Sequence, residues 1–393
     1  MPRLANRNAV VSMILARIMY AVNWYNVGSI FSFLALDFGE NVAGLGILTG
    51  SFYLGLGLGQ VPGGIIAAKI GPRKTAIYGT TIASVACLMS GLASEFYQIT
   101  VLRLVAGIGM AFVFAPGIAL IAKYFGKGAE GLGVGVYNAM YYLGGVLGLF
   151  GWAVFASLFG WRLSLESSGV LGLITGLIML LVLPNDNVNQ EFSIKRSALL
   201  DVLTDGSLIL LGMELFMITG GASLVTAIMI YYMEETMQVG PALAGLIAGL
   251  APILALVASL LAGKNYDRRK QASRMIFFSG FVMAIGLMLA SITTIYEATL
   301  STLIVGFCSG AGSTAGFSAA REVKAGDEYE ALAIGWVNSL QLYSGFVLPI
   351  IFSFIVVHSN YAAAWLIAGF CTLLTALATR IWRIRGSFSG LFS

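Results

Sequence analysis

Three charged side chains, Arg17, Arg103 and Glu214, interrupt runs of apolar residues long enough to cross a bilayer. A charge placed there costs about 2.5–3.5 kcal/mol on insertion scales, so each needs a partner or a use. Arg17 lies eight residues into its run, about 12 Å along a helix from the nearer end. Tyr20 and Trp24 follow at +3 and +7 and share its face. A cation backed by two amphipathic rings suits a carboxylate or another small anion. The plainer alternative is a guanidinium that reaches back to the interface or pairs with a carbonyl. Arg103 has Gly107, Met110 and Phe114 along its face and can equally be a hydrogen-bonding clamp between helices. Glu214 is the one carboxylate well inside a run, at nearly the depth of Arg17. It can carry a proton, form an ion pair with Arg17 that opens as protons or substrate bind, or sit in a static pair between helices.

Neutral polar groups mark two further faces, Asn138, Tyr141 and Tyr142 in one run and Asn338 with Gln341 in another. Amides and phenols can orient a hydroxylated or carboxylated solute without a charge cost, or simply bond across helices. Ser309, Ser313 and Thr314 read as small packing residues, and Cys87, Cys308 and Cys371 as buried packing thiols. His358, the sole histidine, falls in a short loop and is badly placed to relay protons. One histidine, no pair of acids inside the runs and no Gly-x-x-x-x-Gly-Lys-Ser/Thr loop leave hydrolysis and ATP coupling without parts. The expectation is therefore a non-enzyme with no catalytic residue, cofactor or metal, driven by an ion or substrate gradient.

The elements that must position these residues follow from composition. Hydrophobic residues make up 58% of the 393 and charged residues 10%, where a soluble domain carries about 25% charged. A chain this apolar could not cover its surface in water. A span needs about 20 apolar residues. That length gives twelve, at 9–36, 42–67, 75–92, 97–121, 131–158 and 163–183, then 207–233, 241–263, 275–292, 298–320, 330–357 and 362–382. The first run is too long for the core of a cleavable signal peptide and reads as a span. Of the 22 Lys and Arg residues, 19 fall at the N-terminus, in the even-to-odd loops or at the C-terminus. Basic residues are retained on the cytoplasmic side, which predicts both termini cytoplasmic in a cell (inner or plasma) membrane. The dispersed basic residues do not suggest nucleic acid as a partner; the lipid bilayer is the expected surroundings, and the chain is expected to be a monomer.

The halves repeat. Leu132, Gly135, Asn138 and Gly145 recur 200 positions later as Leu332, Gly335, Asn338 and Gly345. Ala43, Gly46 and Gly50 recur at an offset of 199 as Ala242, Gly245 and Gly249, as do Gly107 and Gly117 as Gly306 and Gly316. The predicted organisation is a six-helix bundle at 1–183, a cytoplasmic linker at 184–206 and a second six-helix bundle at 207–393. This all-α integral membrane architecture permits alternating access by rocking one bundle against the other.

The segment QVPGGIIAAKIGPRKT (60–75) resembles the diagnostic loop of the major facilitator superfamily, G-x-x-x-D-R-x-G-R-R/K. Gly64, Lys69, Gly71, Arg73 and Lys74 match, whereas Ala68 stands at the acidic position. The resemblance implies a cytoplasmic latch built on that carboxylate. The second copy, GKNYDRRK, has the acid at Asp267 with Gly263 and Arg268 in place, so the latch is expected to be asymmetric and to lean on Asp267. Arg103, Gly107 and Gly109 match the family's R-x-x-x-G-x-G, which implies a coupling or substrate-binding role for Arg103. Gly135, Gly144 and Gly148 have the spacing of the antiporter glycine pattern, but Leu149 replaces its proline, which counts against a drug–proton antiporter. The function implied is a secondary transporter. Two intramembrane arginines against one glutamate favour a small organic anion, carried with protons or against a counter-substrate. A neutral sugar or nucleoside comes next, then hydrophobic-drug efflux, then a transporter-like receptor or scramblase.

Overall fold

The computed structural model describes residues 6–125, 130–185, 196–269, 271–323 and 327–384, and every regular element among them is helical. The chain divides into two compact units, Met1–Phe192 and Ser193–Ser393. The first contains α1 (Arg7–Phe38), α2 (Val42–Ile70), α3 (Pro72–Gly91), α4 (Phe96–Phe125), α5 (Glu130–Val146), α6 (Trp152–Phe159) and α7 (Trp161–Val182). A π-helical turn, Leu147–Gly151, joins α5 to α6 without a break. The second unit contains the short α8 (Arg196–Leu203), then α9 (Gly206–Met237), α10 (Pro241–Arg269), α11 (Ala272–Leu289), α12 (Ile295–Val323), α13 (Asp327–His358) and α14 (Tyr361–Ile384). The segment read from the sequence as a linker thus includes a two-turn helix, α8, packed near α13 and α9.

Ten of the described helical segments are long and apolar enough to cross a membrane. The long helices outside that group are α1 and α3, which carry buried polar residues: Arg17, Asn23 and Asn26 on one, Thr75, Thr80, Ser84 and Ser90 on the other. Those groups point inward. The outer stripe of α3 remains apolar, with Tyr78, Ile82, Val85 and Met89 exposed at helical spacing. Large apolar side chains such as Leu181, Phe278 and Leu260 are likewise exposed on other helices, an arrangement stable only against lipid.

Chain reversals use the local chemistry expected of helix ends. Asn6, Asn41 and Asp205 accept hydrogen bonds from backbone N–H groups at the starts of α1, α2 and α9. Gly71 both ends α2 and begins α3 with φ of 94°, a conformation that only glycine adopts without strain. Glycine also sets helix spacing. A methyl group at Gly107 of α4 would strike the Phe52 carbonyl of α2, and one at Gly306 of α12 would strike the Ala251 carbonyl of α10. Both members of the second contact lie 199 positions beyond those of the first. Gly144 of α5 meets Ala21 of α1 in the same way that Gly220 of α9 meets Ser344 of α13. At Gly107 and Gly306 the sequence repeat is therefore a repeat of close backbone approach.

Candidate functional site

Arg17 occupies the best-defined position in the first unit. It is 3% exposed, and α1 points it at rings from two further helices. The guanidinium carbon lies 4.7 Å from the ring centroid of Tyr20, 4.7 Å from Tyr137, 4.6 Å from Tyr141 and 5.3 Å from Phe114. Each such contact contributes about 0.5–2 kcal/mol, more when water is excluded. Its Nε and Nη1 are buried with no hydrogen-bond partner among the described residues. The cation is therefore held by ring faces and by the Tyr20 hydroxyl beside it, with the donor capacity of Nε and Nη1 unspent. Gly117 has a specific part here: a side chain on it would collide with the Tyr137 hydroxyl, so its absence leaves room for that ring beside Arg17.

The aromatic surface continues from Arg17. Trp24 has ring centroids 5.7 Å from Tyr20, 5.4 Å from Phe52, 5.1 Å from Tyr53 and 5.9 Å from Tyr141. Tyr142 packs on Tyr141 at 5.6 Å. The Trp24 indole N–H donates to the Tyr53 hydroxyl at 3.1 Å, and the Tyr25 and Tyr141 hydroxyls bond to each other at 2.7 Å. Asn138, one turn from Tyr141 on α5, is exposed. Sequence reading found Tyr20, Trp24, Tyr141 and Tyr142. It missed Tyr25, Phe52, Tyr53 and Tyr137, and it placed Phe114 beside Arg103 when its ring lies against Arg17. Tyr53 is on a helix whose rotation only packing determines, whereas Tyr137 stands one turn before Tyr141 and helical spacing could have found it.

Arg103 belongs to a different environment. It is 2% exposed, stacks over Phe52 at 4.4 Å and donates from Nη1 to the Asn23 carbonyl of α1 at 2.9 Å. Nearby, Asn26 donates to Ser168 at 3.1 Å and Ser168 donates to the Asn23 side chain at 3.1 Å, tying α1 to α7; Asn26 also approaches the Cys87 sulfur of α3. This is the arrangement of a helix clamp.

In the second unit, polar groups form a chain. Thr219 of α9 donates to the Gln341 carbonyl oxygen at 2.9 Å, and the Gln341 amide donates to Asn338 at 2.8 Å. Glu214, 4% exposed, lies on another side of α9, in a cleft lined by Ile276 and Gly280 of α11 and by Thr372, Thr375 and Ala376 of α14. Its neighbours there come from three helices of its own unit.

In the loop region after α2, Arg73 is 9% exposed and holds the end of α7, with Nη2 donating to the Leu180 carbonyl at 2.7 Å and Nη1 to Asn185 at 2.9 Å. Lys69 and Lys74 are exposed, and a side chain on Gly64 would meet no neighbouring helix within 4 Å of its Cβ. The side chains of Ala68, Asp267 and Arg268 lie outside the described residues, so the expected asymmetric latch does too. Where the antiporter pattern has proline, Leu149 sits fully buried in the π-turn, and Ser29 of α1 donates to the Gly148 carbonyl at 2.9 Å. A wide turn thus supplies the helix irregularity that proline would have introduced. Cys371 is exposed, unlike Cys87 and Cys308, so it is not the buried packing thiol expected. His358 ends α13, its Nδ1 2.9 Å from the Phe354 carbonyl.

Long apolar helices, inward-turned polar groups and a caged cation define a multi-pass membrane carrier. The family model of the Major Facilitator Superfamily matches residues 13–323 and 213–388, and the chain belongs to that superfamily of transporters. It is 27% identical over 300 residues to an uncharacterized MFS-type transporter of Methanocaldococcus jannaschii, covering 74% of this chain and 76% of that one. It is 29% identical over 137 residues to a probable L-galactonate transporter of Escherichia coli, covering 35% of this chain and 30% of the other. Among solved structures, the nucleoside transporter NupG superposes with a TM-score of 0.81 at 13% identity, over 95% of this chain and 99% of that chain; at that identity the likeness concerns the fold.

Proposed function

We propose that this chain is a secondary active carrier of a small organic anion, with Arg17 as the group that receives the anionic end. The observation that carries the reading is the Arg17 guanidinium, buried among four rings with Nε and Nη1 unbonded. Ring faces stabilise a cation without neutralising it, so an incoming carboxylate finds a full positive charge in a site with little water to screen it. The planar guanidinium adds two-point hydrogen bonding. The similarity to a probable L-galactonate transporter supports a carboxylate as the charged end of the cargo and bears on that end alone. Transport runs by alternating access with both termini cytoplasmic, coupled to protons or to a counter-substrate. Glu214 is the proton-carrying candidate, and Arg103 positions α1 against α4.

Purified protein in proteoliposomes tests this directly. Arg17→Gln should abolish uptake of organic anions, and Arg17→Lys should bind them about tenfold more weakly while still transporting. Normal anion uptake by Arg17→Gln would reject the reading. Glu214→Gln should preserve anion exchange and lose proton-driven accumulation; unchanged accumulation would leave Glu214 as a structural group. A neutral-solute carrier is the second reading, favoured by the Thr219–Gln341–Asn338 chain. It predicts Arg17-independent uptake of a sugar or nucleoside.

A further inference from the structure

We propose that the anion this site takes is a carboxylate on a flat, apolar, aromatic-like body, and not a polyhydroxylated acid. The proposal rests on the organic-anion reading of Arg17 and adds what the rest of the ligand must be. Beyond Arg17 the first unit offers rings: Tyr20, Trp24, Tyr25, Tyr53 and Tyr141 touch one another in tilted or edge-to-face pairs, with centroids 5.1–6.3 Å apart. Trp24, Tyr25 and Tyr141 are only half-buried, so each keeps part of a face or edge for a ligand.

The hydrogen-bonding state of that wall decides between the two kinds of body. A polyol carries several hydroxyl groups, and each must exchange water for a protein donor or acceptor or lose binding energy. Part of the wall's polar capacity is already spent within it, including its one indole N–H and one of the two O–H groups of the Tyr25–Tyr141 pair. The Trp24 N–H is given to Tyr53, and Tyr25 and Tyr141 bond hydroxyl to hydroxyl. What they leave is mainly ring surface, which rewards a planar apolar group through stacking and area burial. Arg17 stands at the end of this wall, in contact range of Tyr20 and Tyr141, which also belong to it. Charge and ring surface are thus contiguous, in the order a carboxylate attached to a ring presents them.

The test is isothermal titration of the full-length purified protein with matched monocarboxylate probes, benzoate and phenylacetate against gluconate and galactonate. The expected result is aryl acids binding at least about tenfold tighter than the polyhydroxy acids. Trp24→Leu should shrink that ratio toward one, whereas Trp24→Phe should keep most of it. Tyr25→Phe releases the Tyr141 hydroxyl and should raise gluconate affinity relative to benzoate. The ratio between probes is the readout, because partial misfolding lowers both affinities together. Gluconate or galactonate binding as tightly as benzoate, with Arg17→Gln abolishing it, overturns the aromatic-body proposal and leaves the anion reading standing. Binding of these acids that is indifferent to Arg17→Gln overturns both.

Discussion

The ring pair Tyr20 and Tyr141, on α1 and α5, has a counterpart in Thr219 and Gln341, on α9 and α13. The paired residues are 199 and 200 positions apart in the chain. In the first unit the pair is an aromatic contact with centroids 6.1 Å apart; in the second it is a hydroxyl-to-amide hydrogen bond. Next to it, fully buried Tyr137 in the first unit corresponds to fully buried Val337 in the second. The backbone contacts through Gly107 and Gly306 are shared, whereas the side chains around Arg17 are not. Repetition here preserves how closely helices approach. The chemistry was written separately in each unit, a cation in rings on one side and a neutral amide chain on the other.

Making the first unit copy the second at one position should break this contrast most severely. Tyr137→Val removes a ring packed on Arg17 and leaves a void, costing about 2–4 kcal/mol of stability; anion affinity should fall by about tenfold because the guanidinium is no longer held in place on that side. Thermal unfolding in detergent and ligand titration check the two effects separately. Next in size are the shared contacts. Gly107→Ala and Gly306→Ala each force a methyl group onto a neighbouring carbonyl and should each cost about 1–3 kcal/mol. Unequal losses, with one variant unaffected, would show that the two approaches are not equivalent.

Smaller effects sharpen the difference in function. Gln341→Leu deprives Thr219 and Asn338 of a partner and should cost about 1–2 kcal/mol of stability. It should change benzoate affinity by less than about threefold, since the amide chain is not the anion's anchor; a larger loss in titration would give the second unit a direct share in anion binding. A further contrast is in the loop after α2. Arg73→Ala should cost about 1–3 kcal/mol, because buried bonds to Leu180 and Asn185 are lost. Exposed Lys74→Ala should stay within about 0.5 kcal/mol.

By itself the sequence determined the membrane class, the long spans, the repeat and the conspicuous charges. These depend on local composition: a run of about 20 apolar residues has one stable environment, and a charge within it stands out. It also identified Tyr20 and Trp24 with Arg17, because helical spacing puts +3 and +7 on one face. Only the tertiary structure decided which arginine lies among four rings and which donates to a carbonyl of another helix. Arg17 and Arg103 have the same charge and similar burial, but their surroundings come from α2, α4, α5 and α7, far away in the chain. Tyr137 shows the reason most clearly. Its ring reaches Arg17 because Gly117 on another helix has no side chain to obstruct it, and such a fit exists only once helices meet.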